Sequence, residues 1–161
     1  QGTAALELLS ETGPLDALLV PVGGGGLAAG TALAAAGRVS VFAAEPEGAA
    51  DAFESLRQGR HVTDVTPRTV CDGLRATVGA PNLALLREHG VTVLTVSDEE
   101  VVAAMREAWA RLKQVIEPSS ATVLAMVKRY PRHFAGKRLG LILSGGNVDL
   151  DALPWFAKDS A

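Results

Sequence analysis

The stretch Asp16–Gly30, DALLVPVGGGGLAAG, gives the clearest structural signal in the chain, and the other predicted elements can be placed around it. Residues 18–22 form a continuous apolar run, which is typical of a strand buried on both faces of a sheet. The run is followed by four consecutive glycines, which are Gly23, Gly24, Gly25 and Gly26. Small apolar residues from Leu27 onward then predict a helix that ends at Gly37. The stretch therefore predicts a strand, a turn of bare backbone and a helix in direct succession.

The glycine turn has the properties of an anion site. Glycine lets the main chain approach a phosphate closely, and a helix N-terminus presents several N–H groups to its oxygens. Glycine-rich turns also close ordinary strand–helix units, and one or two glycines would fit that role. Four in succession, each at a cost in chain entropy, favour a phosphate-binding loop.

Composition narrows the class of protein. The chain has 161 residues, enough for one domain with a core, and it is 48% hydrophobic but only 4% aromatic, so the core is built from Ala, Leu and Val. Fifteen basic and eighteen acidic residues give a net charge of −3 without long charge runs, which argues against a nucleic-acid or membrane surface. Cys71 is the only cysteine, so an intrachain disulfide and a thiolate metal cluster are excluded. With no segment of membrane-spanning length and no signal peptide visible, we expect a cytoplasmic protein.

Strands and helices alternate along the chain. Further strands are predicted at residues 39–44, 91–96 and 138–143. Helices are predicted at residues 2–11, 49–58 and 81–89. Two more helices are predicted, one that begins at the capping box of Ser97 and Glu100 and one that is capped by Ser119 or Ser120. Residues 60–77 are the least regular part and are predicted to form a long functional loop. The alternation predicts an α/β fold with an open, mostly parallel sheet and helices on both faces.

Three polar or glycine-rich segments follow predicted strands. They are Gly23–Gly26, Glu45–Asp51 and Ser144–Asn147. Ligands of parallel sheets collect at the carboxyl ends of the strands, so these distant segments are expected to face one crevice. This convergence predicts a cofactor site.

A dinucleotide site is one interpretation of the glycine loop. Gly24, Gly26 and Ala29 fit the pattern G-x-G-x-x-A, and Glu45 lies about twenty residues further on, where a ribose-binding acid would be expected. The pattern does not require four glycines, however, and it leaves residues 144–147 without a role. A non-catalytic anion-binding α/β module is a third interpretation.

Six motifs, in order, carry a resemblance to a known family. They are Gln1–Thr3, Val22–Leu27, Glu45-Pro46, Asp72–Arg75, Ile116–Ser119 and Leu143–Asp149. With them the chain resembles the C-terminal half of the fold-type II pyridoxal phosphate (PLP) enzymes, specifically the threonine dehydratase and serine racemase group. The resemblance implies that residues 1–161 are part of the PLP-binding large domain.

The resemblance also implies roles for individual residues. Gly23, Gly24, Gly25 and Gly26 would donate backbone N–H groups to the PLP phosphate, and the Ser144 hydroxyl would meet the pyridine nitrogen. A hydroxyl is too weak an acid to keep that nitrogen protonated, which suits loss of a β-hydroxyl group.

A divalent cation site is implied as well. It would use the carboxylates of Glu45 and Asp51 with the carbonyl oxygen of Ala49, a donor set that suits Mg²⁺, Mn²⁺ or Ca²⁺. Without the resemblance, a purely structural role is about as good an explanation for both residues, with Glu45 ending a strand and Asp51 beginning a helix.

The resemblance places the lysine that forms the Schiff base with PLP in an N-terminal half, within a Ser-Phe-Lys-like segment. No such segment surrounds Lys113, Lys128, Lys137 or Lys158, and the chain begins at Gln1 without a methionine. We therefore expect that the N-terminal half is absent, that it is a partner of this chain, and that the chain alone is inactive.

The expected reaction is PLP-dependent β-elimination of L-threonine or L-serine, a small hydroxy amino acid, to a 2-oxo acid and ammonia. Serine racemase and 3-hydroxyaspartate dehydratase remain alternatives, because the group that would reprotonate the substrate lies in the other half. A homodimer is expected from the same resemblance.

Overall fold

The computed structural model of the protein describes residues 1–156 and contains one four-stranded parallel sheet. Its strands are β1 (Ala17–Pro21), β2 (Ser40–Pro46), β3 (Thr92–Val96) and β4 (Leu139–Leu141). Their order across the sheet is β3-β2-β1-β4, so β1 lies inside the sheet beside both β2 and β4. All five residues of β1 are buried, as its continuous apolar sequence predicts.

Helices cover both faces of this sheet. They are α1 (Thr3–Thr12), α2 (Gly26–Ala35), α3 (Asp51–Gln58), α4 (Ala80–Glu88), α5 (Asp98–Leu112), α6 (Pro118–Arg129) and α7 (Pro131–Phe134), with short 3₁₀ turns at Glu47–Ala49 and Asp72–Leu74. Successive side chains of a strand point to opposite faces, so Leu18 and Val20 pack in one core with α1 to α4, and Leu19 packs in a second core with α5 to α7. The predicted α/β fold class is confirmed.

Two helix starts show how the sequence sets helix boundaries. The capping box before α5 is present, because Glu100 N–H donates to Ser97 Oγ (3.3 Å) and Ser97 N–H donates to Glu100 Oε2 (2.9 Å). The prediction of a cap at Ser119 or Ser120 is wrong. Glu117 is the N-cap of α6 and Pro118 occupies the first turn, where its missing N–H costs nothing.

Loss of the capping box is a test of the fold. We expect Ser97→Ala to lower the free energy of unfolding by about 1 kcal/mol, because one N–H group at the start of α5 loses its acceptor. Urea unfolding of the chain measures the change. Ser10→Ala, at an exposed position of α1, is the control and is expected to change stability by less than about 0.5 kcal/mol. Equal stabilities of the two variants would contradict the proposed contribution of the cap.

Candidate cofactor site

Three neighbouring strands bring the predicted site segments to one edge of the sheet. β1 leads into the glycine loop Gly23–Gly26, β2 ends with Glu45 and Pro46, and β4 is followed by Ser144. Because β2, β1 and β4 are parallel and adjacent, their carboxyl ends lie side by side. The structure thus places all three segments where ligands of α/β sheets bind.

The glycine loop presents a row of free donors. Within residues 1–156, the N–H groups of residues 23–28 have no hydrogen-bond acceptor, and the first bond of the following helix runs from Ala29 N–H to Gly25 O (2.8 Å). Unpaired N–H groups at a helix start are satisfied by water, by side chains or by an anion. The loop therefore has the donor set that a phosphate group requires.

Two of the glycines are required by close packing. Gly25 has a φ of +87°, and a Cβ atom there would lie 2.9 Å from both Asn82 Cβ and Val78 Cγ2. A Cβ atom at Gly23 would lie 2.9 Å from Leu74 Cα. A Cβ atom at Gly24 would instead come no closer than 4.0 Å to another heavy atom, the Cβ of Ala76. Gly25 and Gly23 fix the path of the loop, whereas Gly24 has open space beside it.

The irregular segment 60–77 returns to this loop. Its 3₁₀ turn Asp72–Leu74 packs against Gly23, and Gly73 N–H donates to Ser119 Oγ (3.1 Å) at the start of α6. The turn therefore connects the glycine loop to the start of α6 through direct contacts.

Helix α6 also holds the segment that carries Ser144. The Ser120 hydroxyl accepts from Gly145 N–H (2.7 Å) and donates to Gly145 O (2.8 Å). Glu117 N–H donates to the same carbonyl (3.1 Å), and the Glu117 carboxylate accepts from Asn147 N–H (2.8 Å). Ser144 is exposed, and its hydroxyl has no partner within residues 1–156. The sequence did not reveal that Ser120 binds the backbone of Gly145, because a serine near the start of a helix is also what a helix cap predicts.

Glu45 is a fully buried carboxyl group. Its Oε1 accepts from Ala52 N–H (2.8 Å) and its Oε2 from Phe53 N–H (2.8 Å), so it caps the start of α3. Burial raises the pKa of Glu45 to about 8, against the opposing effect of these two hydrogen bonds. The carboxylate of Asp51 contributes a smaller, like-charge increase to the same pKa.

Asp51 is buried beside it and ties α3 to the start of α4. Its Oδ2 accepts from Val78 N–H (2.7 Å), and burial raises its pKa as well. In the part of the chain that the structure describes, neither Glu45 nor Asp51 forms an ion pair with Lys or Arg. The carbonyl oxygen of Ala49 accepts no hydrogen bond there. When ionised, these two buried carboxyl groups and the carbonyl oxygen of Ala49 are oxygen ligands of the kind that hard divalent ions prefer.

Other predicted features have plain structural roles. Lys113, Lys128 and Lys137 are exposed, while Lys158 lies outside the described residues. Cys71 is buried, and burial raises the pKa of its thiol to about 12, so it is not a reactive thiolate. Among residues 1–156, no helix has the length and hydropathy needed to cross a membrane.

A glycine loop at the carboxyl end of a parallel strand binds phosphate groups in several classes of enzyme, so the comparison with known families decides among them. The chain belongs to the pyridoxal-phosphate dependent enzyme family, which matches residues 1–145. The resemblance found in the sequence is thereby confirmed, and the family favours pyridoxal phosphate over a dinucleotide as the cofactor.

Individual relatives are similar over nearly the whole chain. A β-hydroxyaspartate dehydratase of Paracoccus denitrificans is 46% identical over an alignment of 158 positions, which covers 96% of this chain and 50% of that protein. Serine racemase of Dictyostelium discoideum is 44% identical over 95% of this chain and 49% of its own length. The crystal structure of a threonine deaminase from T.th. is 43% identical, with a TM-score of 0.86 over 92% of this chain and 57% of that chain. The chain spans about half the length of the curated relatives it matches.

Proposed function

We propose that this chain is the C-terminal portion of the large domain of a PLP-dependent enzyme and supplies the binding site for the cofactor's phosphate. The row of free N–H groups in residues 23–28 is the observation that carries this proposal. Gly23, Gly24, Gly25 and Gly26 would hold the phosphate, with the helix dipole of α2 adding to the attraction. The N-terminal half, which would bring the lysine, is the proposed partner of this chain.

Ser144 would bind the opposite end of the cofactor, at the pyridine nitrogen. Its hydroxyl has no protein partner in residues 1–156, and β4 carries it to the strand end next to the glycine loop. PLP supplies an electron-withdrawing ring that makes the Cα proton of a bound amino acid acidic. Ser144 would orient that ring through a neutral hydrogen bond, while Ser120 and Glu117 hold the backbone on which Ser144 lies.

The proposed reaction is the β-elimination of L-threonine or L-serine. The Cα proton and the β-hydroxyl group leave as water, and hydrolysis of the released enamine gives a 2-oxo acid and ammonia. Dehydration of 3-hydroxyaspartate and racemisation of serine are the alternatives, and the relatives that carry those two names support them at 46% and 44% identity. The homodimer expected from the resemblance stays a prediction.

A divalent cation at Glu45, Asp51 and the carbonyl oxygen of Ala49 is a separate part of this proposal. Each Glu45 oxygen accepts one amide hydrogen bond and has a further lone pair for an ion. Mg²⁺, Mn²⁺ or Ca²⁺ there would bind the ionised form of Glu45 together with Asp51 and would stabilise the loop between β2 and α3, without taking part in the reaction.

The products of the reconstituted enzyme test the reaction. The chain is combined with its N-terminal half and PLP, and L-threonine, L-serine and 3-hydroxyaspartate are supplied in turn. Release of ammonia and 2-oxo acid from the first two is the expected result. Formation of D-serine without ammonia would make racemisation the activity, and ammonia from 3-hydroxyaspartate alone would make this the substrate.

Ser144→Ala tests the partner of the ring. We expect the affinity of the enzyme for PLP to change by less than about twofold, because the phosphate contacts remain. We expect kcat to fall about three- to tenfold, the value of one neutral hydrogen bond of about 0.5–1.5 kcal/mol. Steady-state kinetics and PLP titration of the reconstituted enzyme measure both. Asn147→Ala, in the same exposed segment, is the control, and an unchanged kcat in Ser144→Ala would remove Ser144 from the site.

A further inference from the structure

The carbonyl group of Gly24 is held from the side of helix α4. Its oxygen accepts two hydrogen bonds, one from Gly79 N–H (3.1 Å) and one from the Asn82 side-chain amide, Nδ2 (2.7 Å). A carbonyl oxygen has two lone pairs, so these two donors satisfy it completely. Asn82 is partly buried and is the only side chain in the described residues that donates to the glycine loop.

The orientation of this carbonyl determines the orientation of the next N–H group. Gly24 C=O and Gly25 N–H belong to one planar trans peptide unit, in which the two bonds point in opposite directions. Since the carbonyl points toward α4, the N–H group of Gly25 points away from α4. That N–H group is one of those without an acceptor in residues 1–156.

Packing reinforces the same arrangement. Asn82 Cβ lies where only a glycine at position 25 leaves room, 2.9 Å from the place that a Cβ atom would take there. The Gly24–Gly25 peptide unit is thus held on the side of α4 by the packing of Asn82 and by two hydrogen bonds to its carbonyl oxygen. Its N–H group, on the opposite side, has no acceptor within residues 1–156. A loop of four glycines has little stiffness of its own, so this support comes from outside the loop.

We propose that Asn82 is a positioning residue of the phosphate site, which fixes the Gly24–Gly25 peptide so that its N–H group is directed at the phosphate. This inference rests on the proposed function of the loop. Asn82 does not touch the phosphate itself. Asn82 restricts the conformations of the glycine loop before an anion binds. Less conformational entropy is then lost on binding, and such preorganisation increases affinity.

The test compares two ligands that differ only in the phosphate. PLP and pyridoxal are titrated separately into the enzyme reconstituted from this chain and its N-terminal half, and into the same enzyme with Asn82→Ala or Asn82→Leu, and binding is followed by equilibrium dialysis. We expect both variants to bind PLP about three- to tenfold more weakly, the usual effect of one hydrogen bond, with unchanged binding of pyridoxal. Asn82→Leu keeps most of the side-chain volume, so it separates the lost donor from lost packing.

Arg87→Ala is the matched control on the same helix. Arg87 donates to Ser55 O (2.9 Å) and anchors α4 to α3 without contact with Gly24. We expect this variant to keep the wild-type preference for PLP over pyridoxal. Folded Asn82 variants that keep the same preference would overturn the role of Asn82. A wild-type reconstituted enzyme without any preference for PLP would instead overturn the phosphate site, and the role of Asn82 with it.

Discussion

Gly24→Asp is expected to weaken the binding of pyridoxal phosphate by the chain at least about a hundredfold. A Cβ atom at Gly24 has no heavy atom closer than 4.0 Å, so a side chain can start there without a clash, and an aspartate would bring a carboxylate close to the free N–H groups. Two unit charges about 4 Å apart repel by about 4 kcal/mol at an effective dielectric constant of about 20, and the phosphate carries more than one charge. Equilibrium dialysis with PLP measures the loss.

Gly24→Ala separates charge from size in this experiment. The alanine has the same Cβ atom in the same open space, and we expect PLP affinity to fall by less than about tenfold. Circular dichroism of both variants checks that they fold. An aspartate variant that is folded and binds PLP as the alanine variant does would show that the phosphate lies elsewhere.

The second large effect is on stability, through Glu45. Its pKa is about 8 in the folded chain because the group is buried, whereas an unfolded glutamate titrates at about 4.3. Between these values the folded state holds a proton that the unfolded state has released, so a rise in pH favours unfolding. We expect the free energy of unfolding to fall by about 2–4 kcal/mol from pH 5 to pH 8. Urea unfolding at a series of pH values measures the decrease.

Mg²⁺ should oppose this decrease if Glu45 is a cation ligand. The ion binds the ionised carboxylate, so we expect it to raise the melting temperature more at pH 8 than at pH 5. Glu45→Gln stays neutral, and both the pH dependence and the Mg²⁺ effect should be smaller in this variant. Equal pH profiles for the wild type and Glu45→Gln would contradict the assignment of the pKa. A pH profile without any Mg²⁺ effect would contradict the cation site alone.

Most of the fold could be predicted because its signals are local. Apolar runs bounded by glycine or proline predict β1 to β3. The start of α5 is marked by Ser97 and Glu100, a capping box whose two residues are only three positions apart. The predicted strand 138–143 is shorter in the structure, Leu139–Leu141, because its ladder with β1 covers only these three residues. Sequence alone does not tell how far the pairing of two strands that are distant in the chain continues.

The candidate site could be predicted from sequence, but the contacts that support it could not. The glycine loop is recognised from its own residues, whereas the Asn82 amide reaches Gly24 across 58 positions of the chain. Ser120 likewise holds Gly145 from 25 positions away. These contacts depend on how α4 and α6 pack against the sheet, and no local pattern encodes that. The spacing of Glu45 and Asp51 fits a cation site and a helix cap equally, and the structure shows that the cap is present.

The central position of β1 sets the order in which the site can assemble. Its partner β2 follows it closely in sequence, but its other neighbour β4 does not, and Arg138 N–H reaches Asp16 Oδ2 from 122 positions away. Closing a long loop costs more entropy than closing a short one, and contacts distant in sequence form late. On a ribosome, the glycine loop and its support from Asn82 can therefore form while β4 is still to be synthesised. Ser144 is synthesised last, so the proposed phosphate site can form before the proposed contact with the pyridine nitrogen.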